Sequence, residues 1–215
     1  MNNEARVYET EVNDWRSFIS KGIDFHNFYQ ELFDLAKAYK ENRLTEDKYA
    51  HYYPVNLQRM KRGVKQVKPD PELEQLISKI KGQITWVVLT EQWCGDGAQT
   101  LPLFYKLSSM NEKIKLIFLS RDENPDLMDQ FLTNGGRSIP KLIQLNEKFE
   151  ITGTWGPRPV PAQQLVMDHR VRGEPYANAL HTWYARDRYA TLQHEAIELL
   201  NQHISAESGH NMNRA

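Results

Sequence analysis

Trp93-Cys94-Gly95-Asp96-Gly97 carries the only cysteine of the chain, and its residue types could support covalent sulfur chemistry. A thiolate attacks disulfides, and it forms most readily where free backbone N–H groups and the positive end of a helix dipole face the sulfur. The order around Cys94 offers that setting. Ile84, Trp86, Val87, Val88 and Leu89 make a nearly continuous apolar run, suited to a strand covered on both faces. Gly95 and Gly97 break the pattern, after which Leu101, Phe104, Tyr105 and Leu107 recur at roughly helical spacing. Cys94 is therefore expected just before or within the first turn of a helix, on an exposed strand-to-helix turn. Against this stands the ordinary fate of a free cysteine, which is to be a small buried hydrophobe without chemistry. The residues alone leave both readings open.

The rest of the chain must position this turn. Its 215 residues suffice for one well-buried core with additions at both ends. With 27 basic and 28 acidic side chains the formal charge is −1, so no overall field draws nucleic acid or anionic lipid, and neither is expected as a partner. A single cysteine excludes a disulfide within the chain. The N-terminal MNNEARVYETEVNDWR lacks the basic-then-apolar layout of a secretory signal, and a cytoplasmic location is expected. No apolar run approaches the roughly 20 residues that cross a bilayer.

Upstream, residues 1–13 are polar and expected to fray, and Phe25, Phe28, Leu32, Leu35, Ala36 and Tyr39 mark one face of a helix from Asp24 to Glu41. Thr45-Glu46-Asp47 should open a short helix that Pro54 ends; Leu57, Met60 and Val64 suggest another. Arg59, Lys61, Arg62, Lys65 and Lys68 make that segment basic, which reads better as a solvated face than as a phosphate site. Asp70-Pro71-Glu72 starts a further helix, with Asp70 as cap, that Gly82 should end.

Downstream, Ile114 to Leu119 read as a second buried strand, and Leu127, Met128, Phe131 and Leu132 as a helix. After the turn at Asn134-Gly135-Gly136, Ser138-Ile139-Pro140 leads into a third strand with Leu142, Ile143 and Leu145. Asn146-Glu147-Lys148 then turns it into an antiparallel fourth, with Phe149, Ile151 and Thr154. A proline-rich corner, TWGPRPVP, precedes a helix with Ala162, Leu165 and Val166. Gly173-Glu174-Pro175 breaks it, and one longer helix is expected from Tyr176 to Ile204, followed by a disordered SAESGHNMNRA. His169, His181, His194, His203 and His210 lie in this region without metal-ligand spacing, so no metal site is expected.

Trp93-Cys94-Gly95 after a buried strand, Ile139-Pro140 before a later one and Gly153 beyond the hairpin resemble the thioredoxin family over about residues 84–166. RDENPDLMDQ, NGGRSIPKL and the flanking helices are similar to a bacterial subgroup in which Cys-Gly-Asp replaces Cys-Gly-Pro-Cys. The resemblance implies an α/β thioredoxin fold, a mixed central sheet flanked by helices, with added N-terminal helices and a long C-terminal helix. It divides the chain into an N-terminal helical extension (1–82), a thioredoxin-like core (83–170) and a C-terminal helix and tail (171–215) packed on the core. It implies Cys94 as the attacking cysteine, Pro140 as the cis-proline facing it, and Ile139 as a backbone docking point for an extended segment. Trp93 and Gly95 complete that substrate edge, and Trp93 is expected to be partly exposed.

Three departures qualify the likeness. Gly97 stands where the family has its resolving cysteine, so the dithiol cycle cannot close internally. Asp96 replaces proline, and its charge beside the sulfur disfavours a thiolate. Val88 lies where thioredoxins commonly bury a proton-carrying carboxylate. The leading expectation is monothiol exchange through Cys94, with Asp96 as an orienting group or proton acceptor. A client protein or a low-molecular-weight thiol would be the partner, that thiol serving as co-substrate, and no cofactor is expected. The rival is a redox-silent module that binds a peptide or partner protein.

Overall fold

The computed structural model describes residues 14–212. The expectations for residues 1–13, and for the last three residues of the tail, lie outside them.

The sheet is built outward from β1 (Ile84–Thr90), every residue of which is buried. Because successive strand side chains point to opposite faces, Trp86 and Val88 enter one apolar cluster while Val87 and Leu89 enter another. A strand with a core on both sides has no polar positions to alternate, hence the unbroken run. β2 (Ile114–Ser120) pairs with β1 in parallel, β3 (Lys141–Leu145) pairs with its other edge antiparallel, and β4 (Ile151–Trp155) pairs antiparallel with β3. The order is β2-β1-β3-β4. This mixed α/β sheet flanked by helices is the expected architecture, extra helices included.

Helices cover both faces. α1 (Trp15–Lys21), which sequence patterning did not mark out, is capped by Asp14 and sends Trp15 into the second cluster. α2 (Phe25–Lys40) is capped by Asp24 and buries Phe25, Phe28, Leu32 and Ala36. α3 (Tyr53–Gln66) corrects one expectation: Pro54 starts this helix rather than ending one, because a proline in the first turn lacks only an N–H that has no helical partner. Before it, residues 45–49 form turns and Ala50–Tyr52 a single 3-10 turn. α4 (Pro71–Lys79) starts at Asp70, but the Asp70 side chain makes no capping bond, and Ile80 ends the helix before Gly82 is reached. α5 (Gly95–Ser108) follows β1 with Cys94 as its N-cap.

α6 (Pro125–Met128) is a single turn continued by a 3-10 turn at Asp129–Phe131, shorter than its apolar spacing implies, and Leu132 is left exposed. α7 (Val160–Val171) follows the proline corner. The long C-terminal helix is two helices, α8 (Ala177–Asp187) and α9 (Ala190–Met212), since Arg188 and Tyr189 both adopt positive φ. Neither is a glycine, so composition gives no warning of the break. α9 also continues through residues expected to be disordered. It packs on β4, where a side chain at Gly153 would collide with Leu199 and Gln202. Phe28, Leu73, Trp86, Phe104 and Leu200 share one cluster, so α2, α4 and α9 pack into the same core as one face of the sheet. Among the described residues no helix is long and apolar enough to cross a membrane.

Candidate functional site around Cys94

The turn from β1 into α5 brings Cys94 to the floor of an open cleft of about 800 Å³, which Trp93, Gly95, Asp96 and Ile139 also line. The sulfur accepts the Gly97 N–H at 3.3 Å, and its S–H donates to the Ile139 carbonyl at 3.4 Å. Cys94 and Ile139, 45 residues apart, are thus in direct contact. The Ile139-Pro140 peptide is cis, as is Gly156-Pro157, which the sequence reading did not anticipate.

Two features differ from the expected reactive turn. First, the turn is not exposed at its sulfur: Cys94 is only 5% accessible and belongs to the second apolar cluster. Second, its pKa is pushed up to about 12. Burial is the largest cause and the Asp96 carboxylate the next; the Gly97 and Asp96 N–H groups and Arg158 oppose them without prevailing. Helix N-terminus and thiol are placed as expected, but desolvation outweighs the dipole.

Asp96 is buried and doubly held, by Arg158 Nη2 at 2.8 Å and by the Tyr184 hydroxyl at 2.9 Å. Burial raises its pKa, while Arg158 and Tyr184 pull it down. Each carboxylate oxygen thus has one partner, Oδ1 the Tyr184 hydroxyl and Oδ2 the Arg158 guanidinium, which fixes the orientation of Asp96. Arg158 comes from the proline-rich corner, which is pressed against the sheet. Gly156 has φ +113°, and a Cβ there would lie 2.2 Å from the Pro140 carbonyl oxygen, so only glycine lets the corner approach. Pro140 itself is buried beneath the cleft.

Trp93 is partly exposed. Its ring stacks on Tyr49 at 4.5 Å between centroids, and the Arg121 guanidinium lies 5.0 Å from its centroid. Gly95 is approached by α3 and α8: a Cβ there would lie 3.3 Å from Arg59 Nη1 and 3.6 Å from His181 Cε1. Sequence reasoning missed Arg158, Tyr184 and His181 as site residues and assigned Arg59 to a solvated face. The proline corner pointed at Arg158, and nothing local pointed at the others. Among the described residues no group of three or more His, Cys, Asp or Glu side chains is placed to hold a metal.

A thioredoxin family model, Thioredoxin_9, matches residues 43–172, more than half of the chain. The chain belongs to the thioredoxin family. The matched span takes in the site from Tyr49 to Arg170, with α8 beyond it. Among solved structures, a protein of unknown function from Pseudomonas aeruginosa is similar, with 20% identity and a TM-score of 0.63 over 89% of this chain and 98% of that one. An HIV epitope-scaffold gives 17% identity and a TM-score of 0.61 over the same shares. At these identities both show the fold alone, including its flanking helices. No curated protein matches. The site in this chain has one sulfur, with Val88 buried in β1 and Asp96 ion-paired with Arg158.

Proposed function

We propose that this thioredoxin-family protein is a binding module whose cleft docks an extended partner segment, with Cys94 a protonated thiol at rest. The observation that carries the reading is the sulfur itself: buried, donating its proton to Ile139, and raised to about pKa 12. At neutral pH a thiol raised in this way stays protonated. The docking edge is Ile139. The β1–β3 ladder ends at Leu89–Lys141, and the Ile139 N–H beyond it has no partner among the described residues. A backbone donor left beyond the end of a ladder can pair with a docked extended segment.

The second reading, monothiol exchange, keeps one observation in its favour: Cys94 borders the cleft at a helix N-terminus. In that reaction the thiol loses its proton and attacks a disulfide. One new S–S bond forms, the other partner sulfur leaves as thiolate, and an external thiol must later release the adduct.

Alkylation of the folded protein by iodoacetamide across pH 6–12 separates the two. The binding reading expects a rate at pH 8 well below that of the denatured chain, still climbing toward pH 12. A rapid reaction levelling off near pH 8, together with a single mixed-disulfide adduct under oxidised small thiol, would transfer the function to exchange.

A further inference from the structure

We propose that the segment docked over Cys94 is acidic, its carboxylates pairing with Arg59 and Arg170. The inference rests on the docking role of the cleft and names the chemistry of its occupant.

Five arginines from five separate parts of the chain converge on this one cleft: Arg59, Arg121, Arg137, Arg158 and Arg170. The chain as a whole carries a formal charge of −1, so composition does not produce the excess. Three are already neutralised, Arg121 by Asp122 at 2.6 Å, Arg137 by Asp129 at 2.6 Å and Arg158 by Asp96 at 2.8 Å. The other acid on the wall, Glu174, is engaged by Arg172 at 2.8 Å. Arg59 and Arg170 form no ion pair among the described residues. Arg170 is exposed and lies over the Tyr176 ring, with 5.5 Å to its centroid.

Arg59 is the more telling of the two. It is half-buried, its guanidinium donates to Asn56 Oδ1 at 3.0 Å, and it lies against Gly95 at the positive end of α5. Beside it, His181 Nδ1 is buried without a hydrogen-bond partner among the described residues. A partly desolvated cation next to a helix N-terminus, whose nearby carboxylate, Asp96, is already ion-paired with Arg158, is an arrangement that an incoming carboxylate relieves. The guanidinium fork matches a carboxylate in two parallel bonds.

An extended segment suits the cleft better than a compact anion. Alternate side chains of a strand point to the same side, so a segment paired at the Ile139 N–H can present carboxylates two residues apart toward the arginine wall. Tyr49, Trp93 and Tyr176 also line the cleft. A basic segment would meet uncompensated guanidinium groups and be rejected, which gives selectivity through repulsion.

The test uses the full chain and three probes by titration calorimetry: a capped octapeptide with Glu at alternating positions, its Gln counterpart, and glutarate. The Glu peptide is expected to bind at least about tenfold more tightly than the Gln peptide and to weaken as salt rises from 50 to 500 mM. Arg59→Gln and Arg170→Gln should each remove most of that preference, with circular dichroism unchanged. Arg170 is exposed, so its variant still reports if Arg59→Gln misfolds. Equal binding of the Glu and Gln peptides overturns the acidic assignment and leaves the docking role intact. Glutarate binding as tightly as the peptide overturns the extended segment in favour of a small anion. No binding of any probe at millimolar concentration overturns the inference, while the alkylation profile of Cys94 stands or falls separately.

Discussion

The Tyr184 hydroxyl donates to Asp96 Oδ1 at 2.9 Å, joining a residue of α8 to the first turn of the helix that bears Cys94 at its cap. Arg158 closes on the same carboxylate from the far side. The C-terminal helices are thereby tied to the turn that would carry any sulfur chemistry, and the charge so fixed is, after burial, the second cause that holds the thiol protonated.

Asp96→Asn should move thiol reactivity and stability in opposite directions. Removing the carboxylate deletes a contribution that raises the Cys94 pKa, so iodoacetamide alkylation at pH 8 should speed up. The same change strands the buried Arg158 guanidinium, at a cost on the order of 3 kcal/mol. Urea unfolding and alkylation kinetics on the one variant check both signs.

Gly97→Cys should give an internal disulfide. A Cβ at position 97 would lie 3.6 Å from the Cys94 Cβ, inside the span that a disulfide bridges. Thr90 Oγ1, at 3.0 Å, must yield by a few tenths of an ångström. Oxidised protein should lose two mass units and resist alkylation, and the reduced form should gain at least weak turnover in insulin reduction. An oxidised sample that still carries two alkylatable thiols would refute the geometry.

His181 should make the fold acid-sensitive. Burial first, and Arg59 second, lower its pKa to about 4, whereas in the unfolded chain it titrates near 6.5. Between those values the unfolded state holds the extra proton, so the His181 contribution to stability is complete above about pH 6.5 and declines as pH falls toward 4. Asp96, Glu91 and Glu195 are raised instead and act with the opposite sign over the acidic range, so the readout is a difference. Wild type minus His181→Gln, followed by urea midpoints from pH 7.5 to 4, should fall on acidification.

Trp86→Phe should loosen the C-terminal helix from the sheet. The buried Trp86 Nε1–H donates to Gln144 Oε1 at 2.9 Å, and Gln144 Nε2–H donates to the Leu199 carbonyl of α9 at 2.7 Å. Deleting the indole donor leaves the Gln144 oxygen buried and unpaired, worth about 1–3 kcal/mol. Hydrogen exchange should report faster opening of amides in α9 than in α4.

The strand-turn-helix around Cys94 was legible because its signals are local: a continuous apolar run, two glycines, then helical spacing. The same holds for α2, for the hairpin of β3 and β4, and for the departure at Gly97, since a missing sulfur is visible in any fold. Helix ends were less legible. Pro54 and Gly82 are ambiguous between starting and stopping, and the positive φ at Arg188 and Tyr189 falls on residue types that do not announce it. What the sequence could not supply is the electrostatic state of the site. A lone cysteine at a helix cap has a depressed or elevated pKa according to how much water reaches it and where the nearest charges lie. Here burial in the second apolar cluster decides it, with the Asp96 carboxylate adding to the rise and Arg158, brought in by the Gly156 corner, opposing it. Local residue types determined that a thiol sits at a helix N-terminus; only long-range packing determined that it stays protonated there, because desolvation and charge pairing depend on distances the sequence does not specify.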